Sequence, residues 1–185
     1  MHELGSGPAV VFCHGFPELA YSWRHQLPAV AAAGFRALAP DQRGYGGSSA
    51  PANVGDYGLT ELTGDLVGLL DALEIERAIF VGHDWGGFVA WGMPVLHPKR
   101  TAGVIGVCTP YMAIPPTSVM RNLANGKDER YYILWFQPPG VAEAVMDPKA
   151  RLIFDRLMRA PTDPVAAAKT DDGERRARYE SVSSY

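Results

Sequence analysis

Four short apolar runs set the strongest limit on how this chain can fold: AVVFC at 9–13, FRALAP at 35–40, RAIFVG at 77–82 and AGVIGVC at 102–108. Runs this short, apolar throughout rather than alternating, suit strands buried on both faces of a sheet. Helical patterns fill the gaps between them. From about Leu19 to Ala33 the pattern is helical, with Gly34 as its C-cap. Leu59, Leu62, Leu66, Leu69, Leu70 and Leu73 recur at steps of three and four, an amphipathic helix with Thr60 as its expected N-cap. A further helix is expected over about 86–97, kinked by Pro94. Strands separated by helices in this way make βαβ units, so the fold class is α/β, a mostly parallel sheet with flanking helices.

Beyond Pro110 the pattern changes. Prolines and helical stretches continue, but no apolar strand follows, and the tail DDGERRARYESVSSY is polar. The expected organisation is a sheet core over 1–110 and a helical region over 111–185. With 47% hydrophobic and 20% charged residues the composition is that of a globular protein. A net charge of -3 without a basic stripe argues against a nucleic acid or an anionic membrane as partner. No apolar stretch reaches the roughly 18 residues of a membrane span, and MHELGSGPAV is unlike a secretory signal. Cys13 and Cys108 lie in apolar runs and read as small buried hydrophobes, not as a disulfide framework. The expectation is a cytoplasmic protein. No histidine or cysteine pair has metal-ligand spacing and GxGxxG is not matched, so neither a metal nor a cofactor is expected.

The residues that could carry chemistry cluster at the ends of the runs. Val81-Gly82-His83-Asp84-Trp85-Gly86-Gly87 falls where a strand turns into a helix. Small residues on both sides of such a turn let one side chain stand exposed above the sheet, the geometry of a nucleophile elbow, here with Asp84 at its tip. The alternative is that Asp84 merely caps the helix. His14-Gly15-Phe16-Pro17-Glu18 follows the first run, where a backbone N–H can supply half of an oxyanion hole. By itself it could equally be a strand-ending turn. Gly44-Tyr45-Gly46-Gly47-Ser48-Ser49 alone reads as a flexible loop. His14 and His83 read as structural members of their loops, and His2, His25 and His97 as surface or capping residues.

Taken together, HGFPE, RGYGGSSAP, GHDWGG and YYILWFQPPGVAEA resemble the soluble epoxide hydrolase family of the α/β-hydrolase fold, from Gly5 to about Ala144. The resemblance implies a partial α/β-hydrolase core followed by the start of a helical cap. It implies Asp84 as nucleophile, the Phe16 and Trp85 backbone N–H groups as oxyanion hole, and a cis peptide before Pro17. It further implies Tyr132 as donor to the epoxide oxygen, with Ile133, Trp135 and Phe136 on the substrate pocket. The partners implied are a small apolar epoxide and water. Elementary chemistry agrees: a carboxylate with an ordinary pKa of about 3.9 is ionised at pH 7 and attacks without a base. A phenol can protonate the departing ring oxygen. Tyr132, Trp135 and Phe136 share one helical face, whereas Tyr131 points about 100° away.

The resemblance also implies parts that do not match. The family's acid and base histidine lie on later strands, yet no histidine follows His97. A second cap tyrosine is expected, and neither Tyr179 nor Tyr185 sits in a matching motif. The expectation is therefore a chain truncated at both ends, without its earliest strands, able to form an ester on Asp84 but lacking the base for turnover. A haloalkane dehalogenase is the alternative within the fold, but it would carry Asn at the position of Phe16 and lack Tyr132. A fluoroacetate-type enzyme would carry Arg in place of Trp85. A non-catalytic chain that only binds small apolar ligands is the alternative outside enzymes.

Overall fold

The computed structural model describes residues 1–113 and 132–157. The chain divides into two compact units, Met1–Ala113 and Ile114–Tyr185. Unit 1 is built on a five-stranded sheet of β1 (His2–Leu4), β2 (Ala9–Cys13), β3 (Arg36–Ala39), β4 (Ala78–His83) and β5 (Thr101–Val107), in the order β1-β3-β2-β4-β5. All pairings are parallel except that of β1 with β3. This is the α/β architecture expected from the sequence.

Strand β2 lies at the centre and every one of its residues is buried. Because side chains alternate between faces, Ala9, Val11 and Cys13 pack on one side with Leu38, Phe80 and the helical residues Leu66, Leu70, Ala90 and Met93. Val10 and Phe12 pack on the other with Ala37, Val81, Trp23 and Leu27. Helices α2 (Leu59–Ala72) and α3 (Trp85–Leu96) cover the first face, and α1 (Gln26–Ala32) covers the second.

Several local expectations give way. The helix expected over 19–33 divides into a 3-10 turn at Ala20–Trp23 and α1. Pro28 explains the division: in a continuous helix its ring would clash with the carbonyl of Arg24, whereas in the first turn of α1 its missing N–H is not needed. The N-cap of α2 is Gly58, and Thr60 lies inside the helix. The helix expected over about 86–97 is present as α3, which runs to Leu96 with Pro94 inside it. Strand β5 is an edge strand, so Ile105 and Val107 are exposed rather than buried on both faces. Cys108, just beyond it, is exposed at φ 56, not buried; Cys13 alone is a core thiol. A strand also precedes the first apolar run. All three residues of β1 are exposed, so it leaves no apolar signature, and its Glu3 pairs with Arg36 of β3 at 2.7 Å.

In unit 2 the described residues form α4 (Tyr132–Trp135), α5 (Val141–Met146), a 3-10 turn at Asp147–Lys149 and α6 (Ala150–Leu157). Gly140 stands at φ 85 before α5, and its N–H donates to Glu143 Oε2 at 2.8 Å. Leu134, Ala142 and Ile153 are buried. Tyr131, Tyr179 and Tyr185 lie outside the described residues. Among the described residues no helix is long and apolar enough to cross a membrane.

Candidate active site

Asp84 is the residue between β4 and α3, at φ 52 and ψ -123. A non-glycine residue held there costs on the order of 1–3 kcal/mol and persists only where its surroundings fix it. They do so here. The Asp84 carbonyl accepts the Gly87 N–H at 3.0 Å and the Thr109 hydroxyl at 3.1 Å. Thr109 is itself buried at the end of β5, and its carbonyl accepts the Trp91 indole N–H at 2.9 Å. The glycines permit the approach: a Cβ on Gly86 would overlap the carbonyls of Cys13 and His14, and one on Gly87 would lie 2.6 Å from Thr109 Oγ1. Thr109 lies just beyond the apolar run 102–108, and no sequence pattern singles it out.

The Asp84 carboxylate makes no capping bond to α3. It reaches instead to the loop after β2, where Oδ1 accepts the Phe16 N–H at 2.9 Å. Gly15 leaves the room for this, since a Cβ there would overlap the Asp84 Cβ and sit 2.6 Å from Oδ1. The Phe16–Pro17 peptide is cis. Trp85 opens α3, so its N–H is one of the first four that a helix does not use. The positive end of the helix also favours a carboxylate beside it.

The loop after β3 closes around the same site. His14, fully buried, accepts the Gln42 N–H on Nε2 at 3.0 Å and faces the Gly15 carbonyl with Nδ1, also at 3.0 Å. A backbone N–H only donates and a carbonyl only accepts, so the ring is the neutral Nδ1–H tautomer. The Gln42 side-chain amide donates to the His14 carbonyl. Tyr45 meets the His14 ring edge-on at 4.9 Å. Burial pushes the Tyr45 phenol up, and the Asp84 carboxylate adds to the shift. The glycine-rich segment is therefore tied rather than loose: the Gly44 N–H donates to the Ser49 carbonyl, and Arg43 grips Asp65 at 2.6 and 2.8 Å. His83 Nδ1 lies 3.4 Å from Glu18 Oε2, linking the elbow strand to the loop after β2.

Tyr132, Ile133, Trp135 and Phe136 belong to unit 2. The Phe136 N–H donates to the Tyr132 carbonyl at 2.9 Å, and their rings meet nearly perpendicular at 5.5 Å. Trp135 and Phe136 pack at 5.4 Å. Tyr132 is 49% exposed, while Ile133, Trp135 and Phe136 are half-buried around buried Leu134. Among the described residues no cluster of histidine, cysteine or acidic side chains could hold a metal ion.

Residues 8–151 match the family model described as alpha/beta hydrolase fold. Epoxide hydrolase A of Mycobacterium tuberculosis is 48% identical over 168 residues, covering 88% of this chain and 52% of that protein. Bifunctional epoxide hydrolase 2 of Sus scrofa is 45% identical over 158 residues, covering 85% of this chain and 28% of that one. The crystal structure of epoxide hydrolase A from Mycobacterium thermoresistibile superposes with a TM-score of 0.77 at 48% identity, covering 90% of this chain and 54% of its own. The chain thus spans about half the length of the mycobacterial relatives, and less of the mammalian one. With this sheet, this elbow and these relatives, all named epoxide hydrolases, the chain belongs to the α/β-hydrolase fold family.

Proposed function

We propose that the chain carries the alkylating half of an epoxide hydrolase, opening a small apolar epoxide toward a vicinal diol through an ester on Asp84. The observation that carries this reading is the Asp84 carboxylate, raised on a strained turn with one oxygen held by the Phe16 N–H at 2.9 Å. Its other oxygen attacks a ring carbon; the carbon–oxygen bond of the ring breaks, and the departing oxygen takes a proton from the Tyr132 phenol. Ile133, Trp135 and Phe136 form the apolar wall for the substrate. The names of the relatives support the substrate class.

Water then adds to the ester carbonyl, and the Phe16 and Trp85 N–H groups stabilise the oxyanion. The acyl–oxygen bond breaks, returning the carboxylate and releasing the diol. This step gains about 10²–10⁴-fold from a general base. His14 has both ring nitrogens engaged and no histidine after His97 matches the family's base, so on this reading the ester accumulates on these 185 residues; sustained diol release would point to His83 as the base. Incubation with styrene oxide should raise the intact mass by one substrate mass, and Asp84→Asn should abolish the increase. When the ester decays in heavy-oxygen water, the label should enter the Asp84 peptide and not the first diol. Label in that diol would mean direct attack by water and would sink the covalent scheme.

A further inference from the structure

The amide that holds the Asp84 carboxylate is one end of a rigid unit. Gly15 C=O and Phe16 N–H share a planar peptide and point in opposite directions, so whatever fixes the oxygen aims the N–H. Two donors fix that oxygen: the Glu18 N–H at 2.9 Å, as in any tight turn, and His14 Nδ1–H at 3.0 Å. Donation into the carbonyl polarises the whole peptide and strengthens the N–H as a donor. The His14 ring has one proton to give. Gln42 decides where it sits, because its backbone N–H at 3.0 Å requires a lone pair on Nε2. The Gln42 side-chain amide on the His14 carbonyl and the Tyr45 ring edge at 4.9 Å keep residue and ring in place.

We propose that His14 is a positioning residue for the Phe16 amide, with Gln42 fixing the imidazole tautomer that aims and polarises it. This rests on Asp84 being the alkylated nucleophile. The His14 ring bonds Gly15 and Gln42, and it acts on Asp84 through one peptide plane. The consequence is a split between the two chemical steps. Alkylation uses the carboxylate oxygen that Phe16 does not hold, and depends weakly on that amide. Ester hydrolysis builds charge on the carbonyl oxygen and depends on it strongly.

The test alkylates the full chain with styrene oxide, removes the excess and follows loss of the adduct by intact mass. His14→Phe keeps the ring and removes the donor, whereas His14→Asn keeps an N–H near the Nδ1 position. In His14→Phe the ester should decay at least about tenfold more slowly, with alkylation slowed less than about threefold. His14→Asn should recover most of the decay rate. A second readout needs no chemistry: the Phe16 amide proton, followed by NMR, should move upfield in His14→Phe and recover in His14→Asn. Equal ester lifetimes in His14→Phe and the parent, or a Phe16 amide that does not move, would overturn the proposal. Should no variant or parent form an adduct, the alkylation reading fails and the amide shift still decides this one. If His14→Phe does not fold, His14→Leu, which also removes the Nδ1–H donor, should shift both readouts in the same direction; no change in either overturns the proposal.

Discussion

We propose complementary roles for Asp84 and Tyr132 in one reaction, yet the elements that carry them differ. Asp84 stands on a turn where β2, β4, α3 and the end of β5 converge, its carbonyl bonded twice and its carboxylate bonded to Phe16. Tyr132 stands on a four-residue helix, half exposed, with its ring against Phe136. The contrast suits what the proposed reaction asks of each group. A nucleophile attacks along one line, and a misplacement of about 1 Å costs roughly 10²-fold. A phenol that donates a proton tolerates a wider range of approach, since its hydroxyl rotates.

The comparison breaks most visibly at Gly15. Gly15→Ala places a Cβ 2.6 Å from Asp84 Oδ1, so the loop must move away from the elbow. The expected result is adduct formation slowed by about 10²-fold or more, together with a loss of about 1–3 kcal/mol in urea unfolding. A parent-like rate would show that the elbow yields as readily as α4. The matching change in unit 2 is Tyr132→Phe. It should slow alkylation by about 10²-fold while costing less stability than Gly15→Ala. A comparable loss of stability would make Tyr132 a packing residue and remove the contrast.

The smallest effect sharpens the comparison from below the site. Burial pushes the Cys13 thiol from 9.0 up to about 12. The unfolded chain therefore releases this proton from about pH 9 while the folded chain keeps it. Stability from this residue is complete below pH 9 and falls as pH rises toward 12, by up to about 1.4 kcal/mol per unit. Cys13→Ala should flatten the dependence of urea midpoint on pH between 8 and 10. Cys108→Ala, at the exposed thiol, should leave the slope as it is.

What the sequence reveals depends on whether a residue's role is local. Strands β2, β3 and β4 are legible because central strands are apolar on both faces, as Val10 to Cys13 are. Strand β1 is hidden, because an exposed edge strand needs no apolar residue and its pairing partner lies some 35 positions away. Asp84 is legible because the elbow demands glycine on both sides of one residue. Thr109 and Gln42 are not, because each contributes through a contact with a residue distant in the chain, and one threonine or glutamine leaves no pattern. Pro28 could have been used: a proline in the middle of an expected helix marks the division that the structure shows. Thr60 misled because a threonine near a helix start is a common cap, and Gly58 filled that place.

The strained backbone at Asp84 also orders events in time. Its φ of 52 is held by Thr109, by the end of β2 and the loop after it, whose Cys13 and His14 carbonyls lie against Gly86, and by α3 itself. Those segments are far apart along the chain, and until they meet nothing offsets the strain, so Asp84 relaxes to an ordinary conformation. On the proposed reading, the sheet must therefore assemble before Asp84 is placed as a nucleophile. During refolding, labelling of Asp84 by an epoxide should lag behind the recovery of secondary structure seen by circular dichroism. On the proposed reading, a newly made chain holds this carboxylate out of its attacking geometry until the architecture around it is complete.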